Sequence, residues 1–207
     1  MKLYYAPGAC SLAPHIALRE AGLPFTLEKV DLGKKTTETG ADFTRINPKG
    51  YVPAVALDDG RILTEASAIL QYIADRAPGA GLMPAPGTDE RYRILEWLGF
   101  ISTELHKGFG PLWNPATPEA YKTIVRETLA KRFAHLDAAL AGRQYLGGER
   151  FSIVDAYTFT VVSWANVLNV DLTSYPNLRA YLARIAARPH VQAALKAEGL
   201  VKEARTA

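Results

Sequence analysis

The chain has 207 residues, 48% of them hydrophobic and 22% charged, which is enough to bury a full core as one large domain or two small ones. A formal charge of +3 with no long run of like charge gives no concentrated basic face, so a nucleic-acid partner is not expected. No segment is apolar for long enough to span a membrane, the N-terminus lacks a signal peptide's apolar stretch, and one cysteine cannot form an internal disulfide. The expectation is a soluble cytoplasmic protein with no membrane partner.

In chain order, residues 2–6 form a short β-prone run ending at Pro7-Gly8, placed where a strand can sit inside a sheet. Leu12, Ile16 and Ala17 then recur at helical spacing over 11–21, with Pro14 tolerated in the first turn and Gly22 as a stop. Residues 25–32 alternate as a half-buried strand does. Residues 34–50 read as a polar loop with at most a short helix over 42–46. Strands at 52–57 and 61–63 flank Asp58-Asp59-Gly60, a hairpin signal. A helix follows through Ile69, Leu70, Ile73 and Ala74, stopping before Pro78.

Residues 78–88 are rich in proline and glycine and mark a linker. Everything beyond it reads as helix: 90–107, with Trp97, Ile101 and Leu105 on one face, then 118–140, 152–168, 176–187 and 190–197. Ser152 and Asp155 have the spacing of a capping box. The chain thus divides into an α/β domain over 1–77 and an all-helical domain over 89–207.

The candidates for chemistry lie mostly in the first domain. Cys10 falls at a strand-to-helix turn, where a helix dipole and unpaired N–H groups favour a thiolate, its own or a bound one. A small buried core residue accounts for it equally well. Position 13 is Ala13, so CxxC dithiol chemistry is excluded. Val52-Pro53 opens a strand; a cis bond there would turn Val52's backbone N–H and C=O toward an extended ligand. Glu65-Ala66-Ser67 opens a helix, explained either by Thr64 capping with Glu65 in the first turn or by a carboxylate and N–H groups facing a zwitterionic ligand. His106 and Lys107 sit near a helix end, where basic residues also suit the dipole. The four histidines show no HxxxH or HExxH spacing, so no metal site is expected.

Taken together, Cys10, Lys35, Val52-Pro53, Glu65, His106, Lys107 and Trp164, with the linker and the capping box, resemble the glutathione transferases, specifically their bacterial, cysteine-containing Beta class. The resemblance spans essentially the whole chain. It implies a thioredoxin-like N-terminal domain that binds glutathione, an all-helical C-terminal domain that binds an electrophile, and a homodimer. It further implies that glutathione is a co-substrate and that no cofactor is needed. Val52, with Pro53 cis, would pair with the cysteinyl part of glutathione. Glu65 and Ala66 would hold the γ-glutamyl end, any hydroxyl contact there coming from Ser67, and Lys35 would reach the glycine carboxylate. Cys10 and His106 would lie near the sulfur with Ser11 as a helper, and Lys107, Trp113 and Trp164 would line the electrophile pocket. The implied reaction is conjugation of glutathione to small, largely apolar electrophiles; the alternative is glutathione-dependent thiol–disulfide exchange through a Cys10 mixed disulfide.

Overall fold

The computed structural model describes residues 1–201, which pack as two compact units: Met1–Met83 with the C-terminal stretch from Ala187, and Pro84–Ala186. The first unit holds a five-stranded sheet of order β3-β2-β1-β4-β5, formed by β1 (Lys2–Tyr5), β2 (Thr26–Asp31), β3 (Thr36–Thr37), β4 (Ala54–Ala56) and β5 (Ile62–Thr64). The N-terminal strand is central, as its sequence position suggests. Leu3 pairs with Leu27 in the parallel β1–β2 ladder and with Val55 in the antiparallel β1–β4 ladder. The short β3 falls inside the segment expected to be loop; its Thr37 pairs with Val30, a link that two threonines are too few to signal as a strand.

Helix α1 (Leu12–Glu20) buries every residue from Leu12 to Leu18. It ends as Gly22 predicted: Gly22 has φ +64, and the Leu23 N–H closes onto Leu18 O at 3.2 Å, a Schellman ending. Helix α2 (Phe43–Ile46) is capped by Asp42, whose carboxylate accepts the Thr44 N–H. Helix α3 (Ala66–Arg76) turns Ile69, Leu70, Ile73 and Ala74 inward, the four apolar positions read from the sequence. The last helix, α10 (Pro189–Ala197), packs on α1. The described residues from Ala187 onward thus belong to the first unit, although the sequence reads them as continuous with the helical domain of 89–207. The reason is a set of buried polar contacts from Glu198, just past α10, that periodicity does not reveal.

In the second unit, α4 (Asp89–Phe100), a π-helical turn over Ile101–His106 and α5 (Lys107–Trp113) run on from one another. The helix therefore continues beyond 107 in spite of Gly108, Gly110 and Pro111, anchored by the fully buried Phe109. Helix α6 (Glu119–Ala139) contributes Leu129, Phe133 and Leu136 to the core. Helix α7 (Ile153–Val162) is buried on every face, as its apolar sequence requires. The expected 152–168 helix divides at Ser163, whose hydroxyl donates back to Phe159 O at 2.6 Å, and resumes as α8 (Trp164–Val167). Helix α9 (Pro176–Ala186) completes the unit. Among the described residues no helix is long and apolar enough to cross a membrane.

Candidate functional site

In the first unit, the loop from α2 to β4 is built around one buried side chain. Asn47 is 1% exposed; its Nδ2 donates to Tyr51 O at 2.6 Å and its Oδ1 accepts the Lys49 N–H at 3.2 Å. Its carbonyl accepts the Gly50 N–H at 2.8 Å, with Gly50 in the left-handed conformation at φ +69. Lys35 Nζ donates to Gly50 O at 2.8 Å, closing the loop from the other side.

Cys10 meets this loop from the turn between β1 and α1. It is 9% exposed, and its thiol donates to Val52 O at 3.3 Å; the Val52–Pro53 peptide is cis. The thiol proton is thus engaged by a backbone carbonyl. The helix dipole has less to offer than the sequence suggested, because the Leu12 N–H is taken by Ala9 O at 2.9 Å and the Ala13 N–H by Cys10 O at 3.2 Å. Cys10 is thus presented as a thiol donor at the end of α1.

Glu65 faces the same loop. Its φ is +70 and that of Lys35 is +57; the one other non-glycine residue at positive φ among those described is Asn169. Such a conformation costs about 1–3 kcal/mol for a residue with a side chain and tends to collect at functional sites. The Glu65 carbonyl accepts the Ile69 N–H at 2.9 Å to open α3. Its Oε1 accepts the Tyr51 hydroxyl at 3.0 Å and also pairs with the Lys49 ammonium, which reaches Thr64 Oγ1 at 3.2 Å. The hydrogen bond to Glu65 pushes the Lys49 ammonium above its ordinary range, while partial burial, and then the same carboxylate, raise the Tyr51 phenol.

The second unit gathers an aromatic cluster where the π-helical turn ends. His106 Nδ1 shares a 2.7 Å hydrogen bond with the hydroxyl of the buried Tyr157. The Trp164 ring meets His106 edge-on at 5.0 Å, Phe109 at 5.8 Å and Trp113 at 5.9 Å. Trp113 itself remains 47% exposed, which keeps one side of the cluster accessible. A π-turn shifts helical phase by one residue and often marks a functional position. Among the described residues no group of histidine, cysteine and carboxylate side chains is arranged to hold a metal.

Family models for the glutathione S-transferase N-terminal and C-terminal domains match residues 8–76 and 100–189. The chain is 52% identical over 200 residues to glutathione S-transferase GstA of Escherichia coli O157:H7, covering 97% of this chain and all of that protein. It belongs to the glutathione S-transferase family. The crystal structure of a glutathione transferase from Methylococcus capsulatus superposes with a TM-score of 0.95 at 60% identity, covering 97% of this chain and 99% of the other. A bacterial Beta-class glutathione S-transferase from Sphingomonas chungbukensis matches with a TM-score of 0.94 at 49% identity over 97% of this chain and all of its own, in keeping with the class read from the sequence.

For this family member the structure brings Cys10, Lys35, Val52, Pro53 and Glu65 around one loop, and His106, Trp113 and Trp164 into one cluster. Ala66 and Ser67 form the first turn of α3, where N–H groups lack intrahelical acceptors. Lys107 follows His106 with its side chain exposed. Two expectations change. Thr64 does not cap α3; the N-cap position is Glu65 itself, in a left-handed conformation and without a side-chain cap. Ser11 is fully buried, and its hydroxyl both donates to Ala6 O and accepts the Ala6 N–H, each at 3.2 Å, so it ties β1 to α1 and is not turned toward a ligand. Four contributors escaped the sequence reading: Asn47, Lys49, Tyr51 and Tyr157. The Asn-Pro dipeptide was a usable turn signal for Asn47, whereas Tyr157 lies in a helix buried all round and gave none.

Proposed function

We propose that this protein conjugates glutathione to small, largely apolar electrophiles. The observation that carries the reading is the loop 47–53, which engages Cys10 through Val52 O, Lys35 through Gly50 O, and Glu65 through Lys49 and Tyr51. A tripeptide with an ammonium end, a carboxylate end and an amide backbone between them suits such a surface. Glu65 and the N–H groups of Ala66 and Ser67 take the γ-glutamyl end, Val52's backbone the cysteinyl residue, and Lys35 the glycine carboxylate.

At the sulfur, the work is to favour the thiolate of glutathione, which is mostly protonated at neutral pH. Each unit by which its pKa falls corresponds to about 1.4 kcal/mol. On this reading the Cys10 thiol turns its proton from Val52 O toward the glutathione sulfur, and the end of α1 adds a favourable field. His106 is assigned to the transfer step, and Trp164, Trp113 and Lys107 to the electrophile. The relatives at 40% identity and above carry glutathione S-transferase names, which favours transfer over the disulfide-exchange alternative. A homodimer and a cytoplasmic location belong to the same reading; elution at twice the chain mass in gel filtration is the expected result for the first.

The test is conjugation of glutathione to chlorodinitrobenzene, followed by absorbance for the wild type and for His106→Ala. Turnover by the wild type, reduced at least about tenfold by the substitution, is expected. No turnover at any pH overturns the proposal.

A further inference from the structure

The Glu65 carboxylate already carries a cation. Lys49 Nζ and Tyr51 Oη both meet its Oε1, and Lys49 is steadied further by Thr64 Oγ1 at 3.2 Å and by the face of the Tyr51 ring, 5.9 Å from the ammonium. This is not a chance meeting of two surface side chains. The backbone that presents Lys49 and Tyr51 is closed on the buried Asn47 by three hydrogen bonds, and Lys35 fixes Gly50 between them. On the other side, the left-handed backbone of Glu65 directs the carboxylate from the mouth of α3. Loop and helix start are both preset, and the ammonium is the element free to exchange.

We propose that Lys49 is an internal competitor for the amino-group subsite: its ammonium occupies the place on the Glu65 carboxylate that the α-amino group of glutathione takes, and glutathione binds by displacing it. The inference rests on the reading of Glu65 as the anchor for that amino group. Two ammonium groups cannot share one carboxylate oxygen without direct repulsion, so the ligand's arrival sends Lys49 into solvent. Displacement is within reach because the side chains of Lys49 and Glu65 are 45% and 56% exposed, and a hydrated pair of this kind holds only weakly. The latch therefore tunes affinity without blocking the site. It also narrows the preference for the amino group. A ligand lacking that group leaves the Lys49–Glu65 pair intact and bears no displacement cost, whereas one bearing it exchanges cation for cation.

Calorimetric titration of glutathione into the wild type, Lys49→Met and Glu65→Gln tests this, with the glutaryl analogue lacking the α-amino group as a second ligand. Lys49→Met is expected to bind glutathione about two- to fivefold more tightly, the range an exposed ion pair supports, with no gain for the glutaryl analogue. The gain shrinks at high salt, where the wild-type pair is already screened. Unchanged or weaker glutathione binding by Lys49→Met overturns the proposal, as does an equal gain for the analogue. The parent reading fails differently: the wild type and Glu65→Gln would then bind glutathione alike, or not at all. Lys49→Gln, still able to hydrogen-bond but uncharged, is expected to fall between the wild type and Lys49→Met; behaviour like the wild type counts against a role for the charge.

Discussion

His15 Nδ1 lies 2.8 Å from Glu198 Oε1, and both side chains are fully buried. Arg19 Nε donates to His15 Nε2 at 3.0 Å, which leaves the imidazole proton on Nδ1 and makes His15 the donor to Glu198. The second carboxylate oxygen of Glu198 accepts the Gly8 N–H at 2.9 Å, two residues before Cys10. Glu198, just past α10, thus holds the turn that carries the thiol.

Glu198→Ala is expected to lower stability by about 3–5 kcal/mol, since it strands the Gly8 N–H and the buried imidazole together. Glu198→Gln costs less, about 1–3 kcal/mol, because an amide oxygen still serves one donor while its NH₂ faces the other. Urea denaturation measures both, and a Glu198→Ala midpoint equal to wild type would remove the network from the account of stability.

Glu28 offers a pH-dependent counterpart in the sheet. Burial works against its ionisation, but hydrogen bonds from Lys2, at 2.6 Å, and from Thr39 outweigh that and hold the carboxyl below its ordinary value of 4.5. With the folded value depressed, the stabilisation is present above the unfolded value and is lost as pH falls through the folded one. In Glu28→Gln the melting temperature should fall at neutral pH and decline less steeply on acidification than in wild type. Parallel acid limbs for the two proteins would exclude Glu28 as a source of the decline.

Asp155 is the polar centre of the helical unit. Its carboxylate accepts the Leu146 N–H at 2.8 Å, the Ser152 N–H at 2.8 Å, the Ser152 hydroxyl at 2.9 Å and the Tyr181 hydroxyl at 2.9 Å, all in full burial. Burial and then the nearby carboxylate push the Tyr181 phenol well above its usual range, so it stays a donor. Asp155→Ala leaves several buried donors without an acceptor and should cost about 3–5 kcal/mol, against about 0.5–1.5 kcal/mol for Tyr181→Phe. Equal unfolding midpoints for the two variants would contradict this ranking.

How much of this was legible beforehand follows the range of each interaction. Local signals were clear: the Gly22 stop, the Asp-Gly hairpin, the inward face of α3 and the Ser152–Asp155 capping box are set by residues a few positions apart. Contacts of long sequence separation were not, because nothing near Glu198 announces a partner at His15, and nothing near Tyr157 announces His106. The resemblance supplied the positions Cys10, Lys35, Val52 and Glu65. It did not supply Lys49 on Glu65, the carbonyl facing Cys10, or the full engagement of Ser11 with Ala6, each of which depends on side-chain placement.

The His106–Tyr157 hydrogen bond has a kinetic consequence that a stability role alone would not produce. Tyr157 is buried and His106 is partly exposed, so the phenol sets the orientation in which the imidazole is presented. Tyr157 is on this account a positioning residue. Tyr157→Phe should lower kcat for chlorodinitrobenzene conjugation about two- to tenfold, the equivalent of one net hydrogen bond, with KM for glutathione unchanged. The double variant decides the mechanism, because residues acting through one another are not additive. In the His106→Ala background, Tyr157→Phe should reduce kcat no further. If it lowers kcat by the same factor with and without His106, the phenol acts on its own or through the fold, and the orienting role is lost.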